Sequence, residues 1–282
     1  MNMKKIISSL AALFVLSIFC MNVFAQESVN LKYNYKVGKA YLTNSTVNTI
    51  TKQTVMGQEM TVTADVKMEN TMRVTKSNPD GSGSMLLSIK GNTTMNVPGM
   101  PAPQSQEIKI DSVQSVFAAN GKTISTEAPD KNRAVTNGVT EYIKLAVLPG
   151  KDVKIGESWQ DKTVDSVKTP EGGSNPMKEI VTSSNITSTL VGKEVKDGKN
   201  VYRISFQGSV EISGKGNQMG MDMTMEGAGE TKGYYLFDPS ISMIIYVENV
   251  VELNSNINVS GQQNMTIPMT QTVKNVSSTV TL

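Results

Sequence analysis

The feature that most constrains the fold is a long alternation of apolar and polar residues between Met60 and Val74. Residues of one parity are mostly apolar, namely Met60, Val62, Ala64, Val66, Met68, Met72 and Val74. Residues of the other parity are polar or charged. Because successive side chains of a β-strand point to opposite faces, this pattern predicts a strand with one buried face and one solvent-facing face. It is far longer than the usual strand of about five or six residues.

Turn signals divide the rest of the chain at fairly regular spacing. Asn120-Gly121 and Asp197-Gly198 are dipeptides preferred in hairpin loops that need a positive φ. Thr and Val are abundant, and both favour strands. With only 5% aromatic residues, a curved sheet filled by Met, Val and Ile suits the chain better than a dense sandwich. The sequence therefore predicts a mainly β protein whose long antiparallel hairpins form a curved sheet or half-barrel.

One segment has helical spacing instead. Between residues 134 and 147, apolar residues recur at Val139, Tyr142, Ile143, Ala146 and Val147, just before Leu148-Pro149-Gly150. This spacing predicts one short amphipathic helix near residues 134–147. The helix would join two β-rich halves, 26–130 and 151–282, of a single domain spanning residues 26–282.

The N-terminus is typical of a secretory signal peptide. Lys4 and Lys5 precede an apolar run, and Val23-Phe24-Ala25 is typical of a cleavage site. The apolar run is too short for a membrane span of about 20 residues. We predict cleavage between Ala25 and Gln26, a signal peptide over residues 1–25, and no transmembrane segment in the mature chain. The protein would then be exported to the periplasm, the outer membrane or the medium.

Cleavage also changes the chemistry of the chain. It removes the single cysteine, Cys20, unless that residue is lipidated; Phe19 precedes it, where a lipoprotein signal has a small residue. The full chain has 27 Lys+Arg and 25 Asp+Glu, and loss of Lys4 and Lys5 balances the two. A formally neutral chain without a long basic run gives no electrostatic reason to bind nucleic acid.

The chain contains no histidine. Ser-His-Asp and Cys-His catalysis are therefore excluded, as is the commonest zinc ligand. Carboxylate pairs such as Glu226/Glu230 or Asp161/Asp165 are better explained as solvated residues on strands than as a glycosidase pair. The prediction is a protein that is not an enzyme and needs no cofactor.

Methionines are the most distinctive candidate site residues. Met219, Met221, Met223 and Met225 occupy alternate positions, so a strand places them on one face. Three interpretations remain open: adaptable core filler, an apolar cavity for a hydrophobic or lipid-like ligand, or a thioether site for Cu(I). The candidate ligand-binding residues are Met60, Met68, Met72, Met219, Met221, Met223 and Met225.

Three segments together carry a resemblance to a family. They are residues 31–41 (LKYNYKVGKAY), residues 148–159 with Leu148-Pro149 and Val153–Trp159, and residues 233–239 (GYYLFDP). Their order resembles an uncharacterised family of exported β-rich bacterial proteins, a domain of unknown function. The resemblance implies an envelope or secreted protein and transfers no catalytic residue. Long hairpins with a helix are also distantly similar to the half-barrel of periplasmic lipoprotein carriers, an analogy of fold alone.

The leading functional prediction is an exported, non-enzymatic protein that binds a hydrophobic or lipid-like molecule in a methionine-lined concavity. One alternative is a structural or interaction module of the cell envelope, with a protein or glycan partner. A second alternative is Cu(I) binding by methionine thioethers.

Overall fold

The structure is a computed structural model that describes residues 27–55, 57–127, 144–168, 177–218, 220–261 and 264–282. The predicted signal peptide, its cleavage site at Ala25 and Gln26, and Met219 lie outside these residues. The strands are β1 (Ser28–Asn30), β2 (Ala40–Val55), β3 (Gln58–Ser77), β4 (Gly83–Asn96), β5 (Gln104–Phe117), β6 (Thr123–Glu127), β7 (Asp152–Lys154), β8 (Ser158–Lys168), β9 (Met177–Lys196), β10 (Lys199–Gln218), β11 (Met221–Asp238), β12 (Met243–Ser260) and β13 (Met265–Thr281).

Eleven of these strands form one antiparallel sheet in the order β6-β5-β4-β3-β2-β13-β12-β11-β10-β9-β8. Each half of the chain makes its own meander, and the two meanders join where the C-terminal strand β13 pairs with β2. The edge strands β6 and β8 do not pair with each other, so the sheet is open. The prediction of a mainly β protein with long antiparallel hairpins and a curved sheet is confirmed.

The strand lengths follow from the alternation in the sequence. In β3, Val66, Met68, Met72 and Val74 are buried while the intervening charged residues are exposed. Hairpins turn where expected, since Asp197 and Gly198 both have positive φ between β9 and β10. A 20-residue strand such as β3 spans about 65 Å, so the sheet is much longer than its core is thick.

Apolar side chains are concentrated at one end of the sheet. At this end, here called the capped end, β3 ends and β4 begins, and an extended segment of residues 31–36 crosses the sheet. Alternate residues of the segment, Leu31, Tyr33 and Tyr35, are buried in the core. The opposite end, with the β2–β3 and β10–β11 turns, is here called the open end.

Two crossing segments bridge the sheet edges at the capped end. The backbone N–H of Tyr33 donates to Ala119 O, next to the β5–β6 turn, and Leu31 N–H donates to Lys151 O. The second crossing segment, which contains Lys151, continues into β7, and β7 pairs with β1. Beyond β7, Gly156 N–H donates to Leu190 O in β9. Backbone hydrogen bonds therefore link the β5–β6 side to the β9 side through residues 27–36 and 148–157.

The predicted helix near residues 134–147 lies outside the described residues except for 144–147. Those four residues are not helical. The last turn of the prediction is therefore wrong, because Leu148 N–H bonds to Asn120 O across the capped end instead of continuing a helix. No helix long and apolar enough to cross a membrane is found in the part of the chain that the structure describes.

Candidate functional site

The strand register decides which side chains share the concave face of the sheet. Residues paired directly across strands point to the same side. Thr43, Ser45 and Val47 of β2 line a cavity on the concave side, and their partners are Asn70, Met68 and Val66 in β3. Extending the pairing across the sheet assigns odd-numbered residues of β2, β11 and β13 and even-numbered residues of β3 and β10 to the concave face.

All the predicted methionines that the structure describes lie on this concave face. Met60, Met68 and Met72 are on β3, and Met221, Met223 and Met225 are on β11. Met68 and Met72 line the cavity near the capped end. The other four lie on the same face nearer the open end. The sequence thus predicted that the methionines of each strand share a side. The register places both groups on the same face of the sheet, and their separation follows from the length of the strands.

The cavity has a volume of about 540 Å³, within the range of small-molecule sites. One apolar wall comes from β3 and β4, and the other comes from β9 to β12. Tyr33, Leu145 and Ala146 cover it, and the Tyr33 hydroxyl donates to Ala146 O at 2.8 Å. Its apolar walls are formed mainly by Met68, Met72, Leu87, Ile89, Ile186, Phe206, Val210, Met243, Ile244 and Val247.

Between the apolar walls runs a line of polar side chains on β2, β13 and β12, here called the polar ladder. Its members are Thr43, Ser45, Asn249, Asn275, Ser277 and Thr279. They pair across strands: the hydroxyl oxygens of Thr43 and Thr279 are 2.8 Å apart, those of Ser45 and Ser277 3.0 Å apart. Asn275 Nδ2 donates to Asn249 Oδ1 at 3.0 Å. The cavity therefore has a hydrogen-bonding stripe between two apolar walls.

The sequence reasoning missed the polar ladder. The available signal was the last strand, where apolar Met265, Ile267 and Met269 give way to Asn275, Ser277 and Thr279 at the same parity. This change from apolar to polar residues indicates that one side of the last strand becomes polar toward the C-terminus. It could not show that β2 and β12 place further polar residues beside these three.

Two ion pairs lie beside the cavity at β8. Lys144 Nζ is 2.6 Å from the Asp165 carboxylate, and Lys122 Nζ is 2.9 Å from that of Asp161. Asp161 was expected to be solvated, but its side chain is only 16% exposed and faces the concave side. Burial, together with the Asp161 charge, raises the pKa of Tyr235, so this phenol in the cavity wall is neutral at ordinary pH.

The convex face has the opposite character. Exposed charged residues occur in the middle of its strands, including Asp65, Lys67, Glu230, Glu252 and Lys274. Such residues are costly in contact with hydrocarbon. The convex face is therefore suited to water, and the larger apolar surface is on the concave side.

The described residues contain no group of three or more His, Cys, Asp or Glu positioned to hold a metal ion. A different cluster is present near the open end. Met177 and Met223 are both register partners of Gly216. A Cβ added at Gly214 would lie 2.6 Å from Met177 Cε and 3.5 Å from Met225 Cε. Three methionines from β9 and β11 thus gather over two glycines of β10.

No family model matches the chain, and no curated protein matches it. It is similar to an outer membrane channel from Pseudomonas putida F1, with 6% identity, 87% of this chain and 96% of that chain covered, and a TM-score of 0.26. It is also similar to Salmonella typhi OmpF in complex with daunomycin, with 5% identity, 88% of this chain and 100% of that chain covered, and a TM-score of 0.27. A third similar structure is Pseudomonas aeruginosa OccK7, with 6% identity, 88% of this chain and 100% of that chain covered, and a TM-score of 0.30. At these scores the likeness supports no conclusion about the function of this chain.

Proposed function

We propose that this protein is an exported, non-enzymatic binding protein of the cell envelope that holds a hydrophobic or lipid-like molecule in its concave cavity. The observation that carries the proposal is the cavity of about 540 Å³ between the curved sheet and Tyr33, Leu145 and Ala146. Export rests on the signal-peptide pattern of residues 1–25. The resemblance to lipoprotein-carrier half-barrels remains a prediction about the fold.

Methionine is well suited to such a site because its unbranched, polarizable side chain adapts to ligands of different shape. Met68 and Met72 would contact the ligand within the cavity. Met60, Met221, Met223 and Met225 would extend the apolar surface toward the open end, where a longer ligand would leave the cavity. This arrangement would explain why the concave face carries methionine both in the cavity and nearer the open end.

Binding of a neutral apolar fluorophore, N-phenylnaphthylamine, tests the proposal. Val273 lines the cavity and is half-buried on the concave face of β13. A Val273→Trp substitution fills the cavity, and we expect the affinity for the probe to fall by at least about tenfold, or about 1.4 kcal/mol.

The matched control is Val276→Trp on the same strand. Val276 is 41% exposed and points to the convex face, so probe affinity should stay within about twofold, well under 1 kcal/mol. Absence of saturable binding to the unmodified protein would contradict the proposal. An equal loss in both variants would contradict the placement of the site.

The methionine cluster over Gly214 and Gly216 favours a second candidate function, binding of Cu(I). Thioether sulfur is a soft ligand that selects this ion. Titration against a colorimetric Cu(I) chelator under reducing conditions should show one tight site that is lost in Met223→Leu/Met225→Leu. Met85→Leu, in the core at the capped end, is the control. Binding that is micromolar or weaker, or that survives the double substitution, would exclude this function.

A further inference from the structure

We propose that the cavity selects a neutral amphiphile, a hydrophobic molecule whose polar part is a hydroxyl, ester or amide group and not a carboxylate or phosphate. The inference rests on the proposed function, because it assigns the chemical class of the ligand held in the same cavity. It comes from the polar ladder and from the charges around it.

The ladder can bind a ligand without giving up its own hydrogen bonds. A serine or threonine hydroxyl carries one hydrogen and two lone pairs, so pairs such as Thr43–Thr279 and Ser45–Ser277 retain acceptor capacity. The amide of Asn249 accepts from Asn275 through Oδ1, and its own two N–H hydrogens are separate donors. The ladder therefore offers both donors and acceptors, which is what a hydroxyl, ester or amide group requires.

The surroundings do not provide for a charged head group. Among the described residues that line the cavity, Lys144 is the sole charged one, and it is paired with Asp165. Lys122, after the β5–β6 turn, is paired with Asp161. An anionic ligand would have to compete with two carboxylates for these two lysines, and burying an ion without a partner is costly.

The position of the ladder fixes how the ligand would lie. Its six residues lie on the three central strands of the sheet. Apolar walls flank them on β3 and β4 to one side, and on β9 to β11 and the capped-end part of β12 to the other. A polar group bound at the ladder would leave the apolar part of the ligand against methionine, leucine and isoleucine side chains. An alkane would instead cover the ladder and remove its hydrogen-bonding capacity from water, which costs free energy.

Three probes of equal chain length separate the possibilities. Hexadecanol, hexadecanoate and hexadecane are each used to displace N-phenylnaphthylamine from the full mature chain at about pH 8, where a carboxylic acid is ionised. We expect hexadecanol to bind at least about tenfold more tightly than hexadecanoate, and also more tightly than hexadecane.

The double variant Asn249→Leu/Asn275→Leu removes both amides of one pair, so neither amide is left without its partner. Ser277 Oγ, which also lies 3.2 Å from Asn275 Oδ1, keeps Ser45 as a partner. Its hexadecanol affinity should fall toward that of hexadecane, because only the Thr43–Thr279 and Ser45–Ser277 hydroxyls then remain in the ladder. Asn254→Leu, exposed on β12 and pointing to the convex face, should keep the preference of the unmodified protein. Loss of the preference in this control, or a preference in the double variant as large as that of the unmodified protein, would overturn the role of the ladder.

Two results separate this inference from the proposed function. If hexadecanoate or hexadecane displaces the fluorophore as well as hexadecanol does, selection for a neutral amphiphile is wrong while hydrophobic binding stands. If saturable fluorophore binding is itself absent, the proposed function fails and this inference fails with it.

Discussion

At the scale of single residues, two tyrosines and two glycines determine how the capped end closes. The Tyr33 and Tyr35 hydroxyls donate to the carbonyl oxygens of Ala146 and Ala118, each at 2.8 Å. Their rings fit because glycine lies beside them. A Cβ at Gly83 would overlap the Tyr35 ring, and a Cβ at Gly121 would lie 2.5 Å from Tyr33 Cε2. These contacts bring together the segment that covers the cavity.

Gly121→Ala should lower the free energy of unfolding by more than about 2 kcal/mol. Gly121 has φ of 88°, which strains an alanine, and the added methyl would also meet Ala146 O at 2.7 Å. Gly198→Ala is the control, because its φ is 75° and nothing lies within 4 Å. It should cost about 1 kcal/mol. Urea unfolding of both variants measures the difference, and equal costs would show that the close contact is unimportant.

At the scale of elements, glycines and bulges bend the strands into a curved sheet. A Cβ at Gly229 or Gly233 of β11 would overlap a carbonyl oxygen of β12, and one at Gly208 of β10 would overlap Asn185 O of β9. All three glycines are on the concave face, where sharp bending brings neighbouring backbones close together. Two β-bulges add to the bend. Val191 of β9 is skipped opposite Arg203 and Ile204, and Ile245 of β12 is skipped opposite Leu236 and Phe237.

Gly229→Ala should therefore destabilise the protein by about 1–3 kcal/mol, because the new methyl can be placed only by moving the β12 backbone. Ala228→Val, at the adjacent exposed position on the convex face, should change stability by less than about 0.5 kcal/mol. Thermal unfolding monitored by circular dichroism compares the two. If Gly229→Ala unfolds at the same temperature as the unmodified protein, the glycine is not needed for curvature.

At the scale of the whole molecule, the sheet separates an apolar concave face from a charged convex one, and buried tyrosines are part of the core at the capped end. Burial raises the pKa of Tyr33, Tyr35 and Tyr235 above the ordinary range. On the convex face, burial and the hydrogen bond to Glu248 raise the pKa of Tyr234 to about 12. Unfolding exposes all four to water, where a phenol titrates near about 10.

Stability should consequently fall as the pH rises above about 10. In that range the unfolded chain loses phenolic protons that the folded protein retains, so the free energy of unfolding decreases with pH. The stabilisation is fully present below about pH 10 and is lost as the pH rises toward and beyond 12. Phenolate absorbance and circular dichroism, recorded together, should change in one transition. Early ionisation of most tyrosines in a still-folded protein would contradict this expectation.

Tyr35→Phe provides the comparison for that experiment. It removes one raised phenol, so the decline of stability above about pH 10 should be shallower than in the unmodified protein. At neutral pH it also removes the hydrogen bond to Ala118 O, at a cost of about 1 kcal/mol. An unchanged slope would show that Tyr35 does not contribute to the alkaline transition.

The sequence by itself determined the alternation within individual strands, several of the turns between them, and which residues of one strand share a side. These are local properties: alternation in β3 assigns Met60, Met68 and Met72 to one side, and alternation in β11 does the same for Met221, Met223 and Met225. The grouping of methionines within each strand could therefore be predicted from the sequence, whereas the strand register was needed to place both groups on the same face of the sheet.

Only the tertiary structure decided where the cavity lies and what lines it. Thr43 and Thr279 form one rung of the polar ladder although they are 236 residues apart. Their contact depends on the register between the first long strand and the last, which no local pattern specifies. The cover over the cavity likewise joins Tyr33 to Ala146 across 113 residues. Pairing between distant strands and burial of the crossing segments, which are both non-local, turned a predictable apolar face into a site with a polar stripe.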